Sequence, residues 1–342
     1  MTTSAYTLDL LDMSGGTVLA DVLTNELSPE LTVGYALDSI ATCSFKLPVT
    51  QTGVTRSNFD PGNRTLVLKQ DGTPIWGGFL LASSADHDWA SFSGKDWLFA
   101  LSQNIVSINE HFLDVDELDI AWTLINTFCD IAFTRGSATP SGFPRRRHYC
   151  CNDMTTVFDA VSELATNLHG FDFWITPTKV WNTVVGLRGA DRTATVIFDD
   201  MVNLTEVNFT DDAESVVNRD WFVPPNILSC ADMQYRDYGG SPAAWVRESG
   251  VDLSSIDLPA DRSDIISEAL RNSGPPRIQV TGTVDVQTGI DVGSFDLGDK
   301  VRCKLSRGYM TMDQSMRVLD YTVTIKDSCV QQMSVTLDNV LT

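Results

Sequence analysis

The sequence has 342 residues, enough for two or three domains, and 43% of them are hydrophobic, enough to build real cores. Its 45 acidic residues outnumber the 24 basic ones, and a net charge of -21 argues against wrapping nucleic acid through phosphate contacts. No stretch approaches the roughly 20 apolar residues of a membrane helix, and no basic-then-apolar leader opens the chain. A soluble protein made in the cytoplasm, without stable membrane insertion, is expected.

Residues 1–107 read as strands. Tyr6 to Asp12 is short and apolar and stops at Ser14-Gly15-Gly16; Ala41 to Leu47 follows. Leu66-Val67-Leu68, then Asp71-Gly72, then Ile75-Trp76 is a hairpin with a strong turn signal. Gly77-Gly78 marks a bulge or a close backbone approach. Trp89 to Phe92 adds a further strand, so a β-barrel-like domain is expected here.

The pattern changes over 108–198, which reads as an α+β insertion. Leu118, Ala121, Trp122, Ile125, Phe128 and Cys129 fall on one helix face. A second helix carries Val157, Phe158, Val161, Leu164, Ala165 and Leu168, with Asp153 or Thr155 at its start and Gly170 at its end. Phe171 to Ile175 and Val180 to Leu187 read as strands. Between the helices lies a Gly/Pro/Ser loop that ends in Arg145-Arg146-Arg147-His148.

Residues 199–230 return to strand text with acidic turns and are expected to complete the first barrel. Residues 231–276 read as a connector with one helix, Ser263 to Asn272, closed by Ser273-Gly274-Pro275-Pro276. Residues 277–342 are the cleanest β text. Ile278, Val280, Val284 and Val286, then Val301, Cys303 and Leu305, then Leu319, Tyr321, Val323 and Ile325, then Met333, Val335 and Leu337 alternate with polar residues. One buried and one wet face follow, as in a second small barrel. The fold class expected is mainly β with an α+β insertion.

No catalytic, cofactor or metal set emerges. His87, His111, His148 and His169 show no i, i+4 pair, and neither a nucleophile elbow nor a phosphate-binding P-loop occurs. Asp114, Asp116, Glu117 and Asp119 lack the central glycine of a calcium loop and read as the acidic start of a helix. The tryptophans are scattered as core residues are. The seven cysteines are odd in number and form no CxxC, which points to a reducing compartment and to free thiols, the Cys150-Cys151 pair included. Arg145, Arg146 and Arg147 form the only basic run, which reads either as a solvated loop or as a docking point for an acidic patch on a neighbouring subunit.

Five phrases carry a resemblance: NRTLVLKQDGTPIWGGFLLAS from Asn63, GKDWLFALS from Gly94, TTVFDAVSELATNLHGFDFWI from Thr155, FDLGDKVRC from Phe295 and MRVLDYTVTIKDSCVQQMSVTL from Met316. In this order they resemble the tail-tip and baseplate hub proteins of long-tailed bacteriophages. The resemblance implies two barrel-like tube domains per chain, an outer α/β domain, and a homotrimer that presents six barrels around the tail channel. It also implies contacts with a distal tail ring protein, a tape-measure protein and receptor-binding or spike proteins, in a virion assembled in the host cytoplasm. DNA would pass without specific binding, and an acidic lumen would ease its passage. The text stops at Thr342, just past the last strand, so no wall-degrading module is expected. Two other readings stand beside it: a distal tail or carbohydrate-binding receptor protein, and, further off, a tail-associated hydrolase.

Overall fold

The computed structural model describes residues 6–23, 30–166, 170–214, 216–223, 234–237, 246–252, 277–286, 289–326 and 329–339. The expected connector helix at 263–272 lies outside these residues. The chain opens with β1 (Tyr6–Asp12), β2 (Thr17–Leu19), β3 (Leu31–Ala36), β4 (Thr42–Pro48), β5 (Arg64–Gln70), β6 (Thr73–Ala85), β7 (Trp89–Asp96) and α1 (Leu98–Gln103). Next come β8 (Glu110–Asp116), α2 (Glu117–Phe128), β9 (Thr134–Arg135), β10 (Pro144–Tyr149), α3 (Val157–Ala165), β11 (Phe171–Ile175) and β12 (Val180–Val185). The remainder is β13 (Ile197–Asp199), β14 (Leu204–Asp212), β15 (Arg219–Val223), β16 (Gln234–Asp237), β17 (Glu248–Asp252), β18 (Arg277–Val284), β19 (Lys300–Leu305), β20 (Met312–Lys326) and β21 (Cys329–Asn339). The fold is mainly β with an α+β insertion.

Local chemistry explains the strands. In β4, Cys43, Phe45 and Leu47 point inward while Thr42, Ser44 and Lys46 point out, the period of two that one buried face imposes. Asp71 and Gly72 both take positive φ (50° and 79°), the geometry of a tight two-residue turn matched to strand twist.

A 13-stranded sheet runs β14-β18-β21-β20-β3-β4-β7-β6-β5-β1-β2, with β19 and β13 branching from β20. Pairing is antiparallel except between β13 and β19. β20 joins the amino- and carboxy-terminal strands: Met312 to Arg317 pair with β19, while Asp320 to Ile325 pair with β3. One contiguous core, from Leu8 and Phe45 through Phe198 to Val301 and Leu337, lies under these strands. Tyr35 stacks on Tyr321 at 4.7 Å beneath the seam.

The insertion has its own core, built from Trp97, Leu101, Leu124, Val161, Phe173 and Trp181. On α2 the buried set is Leu118, Ile120, Ala121, Leu124 and Ile125, so the buried stripe is shifted from the expected one and leaves Trp122 half-buried. α3 is capped by Thr156, whose Oγ1 accepts from Asp159 N at 3.0 Å; neither Asp153 nor Thr155 caps it. Cys151–Asp153 forms a 3-10 turn and Met154 is left-handed, which delays the helix start. The basic run is not a loop: Pro144–Tyr149 forms β10 against β8.

Candidate functional site

The largest feature built by this topology is the sheet face turned away from the core. Cross-strand register aligns its side chains into rows. Thr205, Thr283, Ser334 and Thr322 follow one another across β14, β18, β21 and β20. Gln332, Thr324, Thr32, Ser44, Ser93 and Ala82 make a neighbouring row from β21 through β20, β3, β4 and β7 to β6. These are small hydroxyl, amide or methyl groups. Such a face hydrates well and offers no apolar grip.

Charges on this face are mixed rather than acidic. Lys46, Lys95 and Arg277 stand among Glu206, Asp320 and Asp338 on the outward positions. Arg277 pairs with Asp338 at 2.6 Å, and Thr283 Oγ1 donates to Glu206 at 2.9 Å. Burial pushes the Asp320 carboxyl above its ordinary range, against a hydrogen bond from Thr336. Sequence reasoning did not single these residues out. Their one signal is the recurrence of Thr and Ser at the polar positions of the alternating strands.

Beside β14 the surface turns apolar. Met201 (70% exposed), Val202 (65%) and Tyr309 (87%) project from two neighbouring turns. Asp200 ties the turns together: its carboxylate accepts from Ser306 N at 3.0 Å, and it pairs with Arg307 at 3.1 Å. Three large apolar side chains held out by a buried carboxylate form a surface suited to a protein contact.

The candidate docking residues are largely committed within the insertion. Arg145 is buried and pairs with the fully buried Glu117 at 3.1 Å. Burial pushes Glu117 up to about 7, against the pull of Arg145. Arg146 is exposed and lies across Asp114, at 2.9 and 3.1 Å. Arg147 reaches Glu163 at 3.5 Å. Of the acidic run, Asp116, Glu117 and Asp119 start α2, as their residue types suggested, whereas Asp114 lies in β8. Asp116 is the N-cap, accepting from Leu118 N at 3.0 Å, and Glu117 and Asp119 occupy the first turn.

His111 and His148 are cross-strand partners in β8 and β10, with rings stacked at 4.0 Å. His87 is exposed in the β6–β7 turn, and His169 lies outside the described residues. Among the described residues no cluster of three or more His, Cys, Asp or Glu could hold a metal. Cys43, Cys129, Cys150, Cys151 and Cys303 are free thiols, and burial raises Cys43, Cys129 and Cys303 to about 12. Among the described residues no helix is long and apolar enough to cross a membrane.

Three parts of the chain meet at a carboxyl pair. Asp38, just past β3, accepts from Phe173 N at 2.6 Å. Asp172, on β11, accepts from Arg188 N and from the guanidinium of Arg317 on β20. Burial, then the adjacent Asp172 charge, pushes Asp38 up to about 8. A protonated Asp38 donating to Asp172 satisfies both groups. Alongside, Arg188 pairs with Asp296 at 2.5 Å and Arg192 with Asp299 at 2.6 Å. Gly189 and Gly298 lie back to back with positive φ, and a Cβ on Gly189 would sit 2.2 Å from Gly298 O. These contacts lock the insertion to the carboxy-terminal strands.

No protein-family model and no curated protein matches the sequence. Solved structures do match the fold. A tail protein from Neisseria meningitidis MC58 aligns with a TM-score of 0.66 at 14% identity, over 98% of this chain and 97% of that one. The 43 kDa tail protein of prophage MuSo2 from Shewanella oneidensis aligns with a TM-score of 0.67 at 11% identity, over 98% of both chains. Prophage tail protein gp18 from Listeria monocytogenes EGD-e aligns with a TM-score of 0.64 at 11% identity, over 98% of this chain and 94% of that one. At these identities the likeness is one of fold.

Proposed function

We propose that this chain is a non-enzymatic structural protein of a phage tail, the hub of its tip or baseplate. Copies of it, three in number, close a ring around the tail channel. The ring links the tail tube and tape-measure protein to receptor-binding or spike proteins, and DNA passes through it. The observation that carries this reading is the uninterrupted sheet from β14 to β6, whose outer face is paved with small hydroxyls. The full-length fold match to tail proteins, two of them from prophages, supports it.

In this reading the hydroxyl face is the channel wall. With this face as the wall, the lumen carries charges of both signs rather than the acidic surplus expected from net charge. Each exposed cation–phosphate contact is weak, but a row of them would hold DNA and make transit depend on salt. Hydroxyls with few charges of both signs, Arg277 countered by Asp338, avoid both capture and strong repulsion. We take the two barrel-like tube domains of the hub resemblance as the strand groups on either side of the β3–β20 seam; β14 then belongs to the carboxy-terminal group, through its pairing with β18, and does not complete the first barrel as expected of residues 199–230. Met201, Val202 and Tyr309 serve as a subunit or ring contact. Docking by the basic run is narrowed to Arg146, since Arg145 is buried.

Copy-number measurement on purified particles tests this. Quantitative mass spectrometry should give three copies per particle, and antibody against the chain should label the tail tip. Label along the tail shaft, or six or more copies, would overturn the hub assignment.

A further inference from the structure

Between the seam and the insertion lies a cleft of about 520 Å³, within the range of sites for small ligands. Tyr35 and Tyr321 line it with Trp76 of β6, Asp96 of β7, and Trp174 of β11. Two of these residues leave polar atoms unmatched. Trp76 is 3% exposed, and its Nε1–H has no acceptor. The next indole along, Trp97, does donate, to Pro177 O at 3.1 Å. Asp96 Oδ1 is also buried without a partner of good geometry, although the backbone N–H groups of Ala41, Leu98 and Phe99 lie beside the carboxyl and pull against its burial. Buried polar groups without partners are rare in folded proteins.

The two groups face the same way. Asp96 pairs with Gly78, so Trp76 is its diagonal neighbour on the same face, about 7–8 Å off. An indole donor and a carboxyl acceptor on the same side of the sheet, both lining this cleft, suit one ligand that both accepts and donates. The two arginines of the cleft are paired, Arg188 with Asp296 of the cleft and Arg192 with Asp299 behind it. Among the described residues that line the cleft, no unpaired cation is left for a phosphate or carboxylate. Burial holds Asp96 at about 7, so it is not the full carboxylate that an amine would need. The aromatic walls suit the C–H faces of a ring, and the Trp174 face is already covered by the Arg188 guanidinium at 4.1 Å.

We propose that this cleft binds a neutral polyhydroxylated ligand, a single sugar ring, between the Trp76 indole N–H and the Asp96 carboxyl. One ring hydroxyl accepts from Nε1 and another donates to Oδ1. The binding is independent of ring assembly and belongs to the single chain.

The test is nitrogen-edited NMR of the full chain, following indole N–H resonances while D-glucose, D-galactose, D-mannose and N-acetyl-D-glucosamine are titrated separately. The Trp76 resonance is identified as the one missing from Trp76→Phe. At least one sugar should shift it saturably. Trp76→Phe and Asp96→Asn should each weaken that binding about tenfold, while Arg146→Ala, outside the cleft, leaves it unchanged. Should Trp76→Phe fail to fold, a saturable shift of any one indole resonance in the parent, and its weakening in Asp96→Asn, decide. Four sugars that leave the resonance in place would overturn the proposal. So would binding untouched by Asp96→Asn, or a shift produced only by triglycine, ethylamine or inorganic phosphate.

Discussion

Thr32 and Thr324 stand 292 positions apart in the chain, yet their hydroxyl oxygens lie 3.5 Å apart across the β3–β20 seam. This contact joins the first strands to the last and makes one hydroxyl row continuous from β20 through β3 and β4 to β7. The proposed function rests on that continuity, and so do several expected outcomes.

The seam should make the two strand groups unfold together, because they share one core. Tyr321→Ala removes the ring stacked on Tyr35 and packed edge-on against Phe295 at 5.3 Å. A loss of about 3 kcal/mol in urea unfolding is expected. Hydrogen exchange should quicken in β3 and β20 alike. Loss of protection in β20 alone would show that the seam does not couple them.

Arg145 should matter for folding before docking. Glu117→Ala leaves a buried guanidinium without its carboxylate, and a cost of about 3 kcal/mol is expected. Replacing both partners by Met should recover most of it. Arg146→Ala, at the exposed Asp114 pair, should cost under about 1 kcal/mol. Chemical denaturation of the variants checks the order.

Stability should fall as pH rises from about 4 to about 8. Asp38 keeps its proton in the folded chain up to about 8, whereas the unfolded value is near 3.8. Over that window the folded state binds the extra proton, so raising pH favours unfolding. Asp96 and Glu117, both raised to about 7, act in the same direction. Asp38→Asn should flatten the slope of melting temperature against pH. An unchanged slope would place the proton elsewhere.

Much of this architecture is legible in the residues, and the rest depends on distance. β18 to β21 alternate because each has one wet face, and the Asp71-Gly72 turn is local chemistry. Arg145-Arg146-Arg147 reads as a solvated loop because Glu117, the partner that allows Arg145 to be buried, is 28 residues away. Ile120 and Leu124 of α2 lie outside the stripe the sequence suggests, because the buried face is rotated about the helix axis toward Glu117. The Thr32–Thr324 seam and the Asp38–Asp172–Arg317 junction need three separate chain segments to be placed, and no local pattern encodes that.

The apolar tip should serve assembly and not folding. Replacing Met201, Val202 and Tyr309 together by Ser should leave the melting temperature within a few degrees. Complementation of a phage lacking the chain should then yield fewer completed tails. Full tail assembly with the triple variant would remove these residues from any interface.

The most direct measurement is an electron-microscopy map of the intact particle. A hub requires three copies on the tail axis, with Thr32, Thr322, Thr324 and Ser334 facing the channel. Copies placed off the axis, or a lumen lined by another face of the sheet, would contradict it.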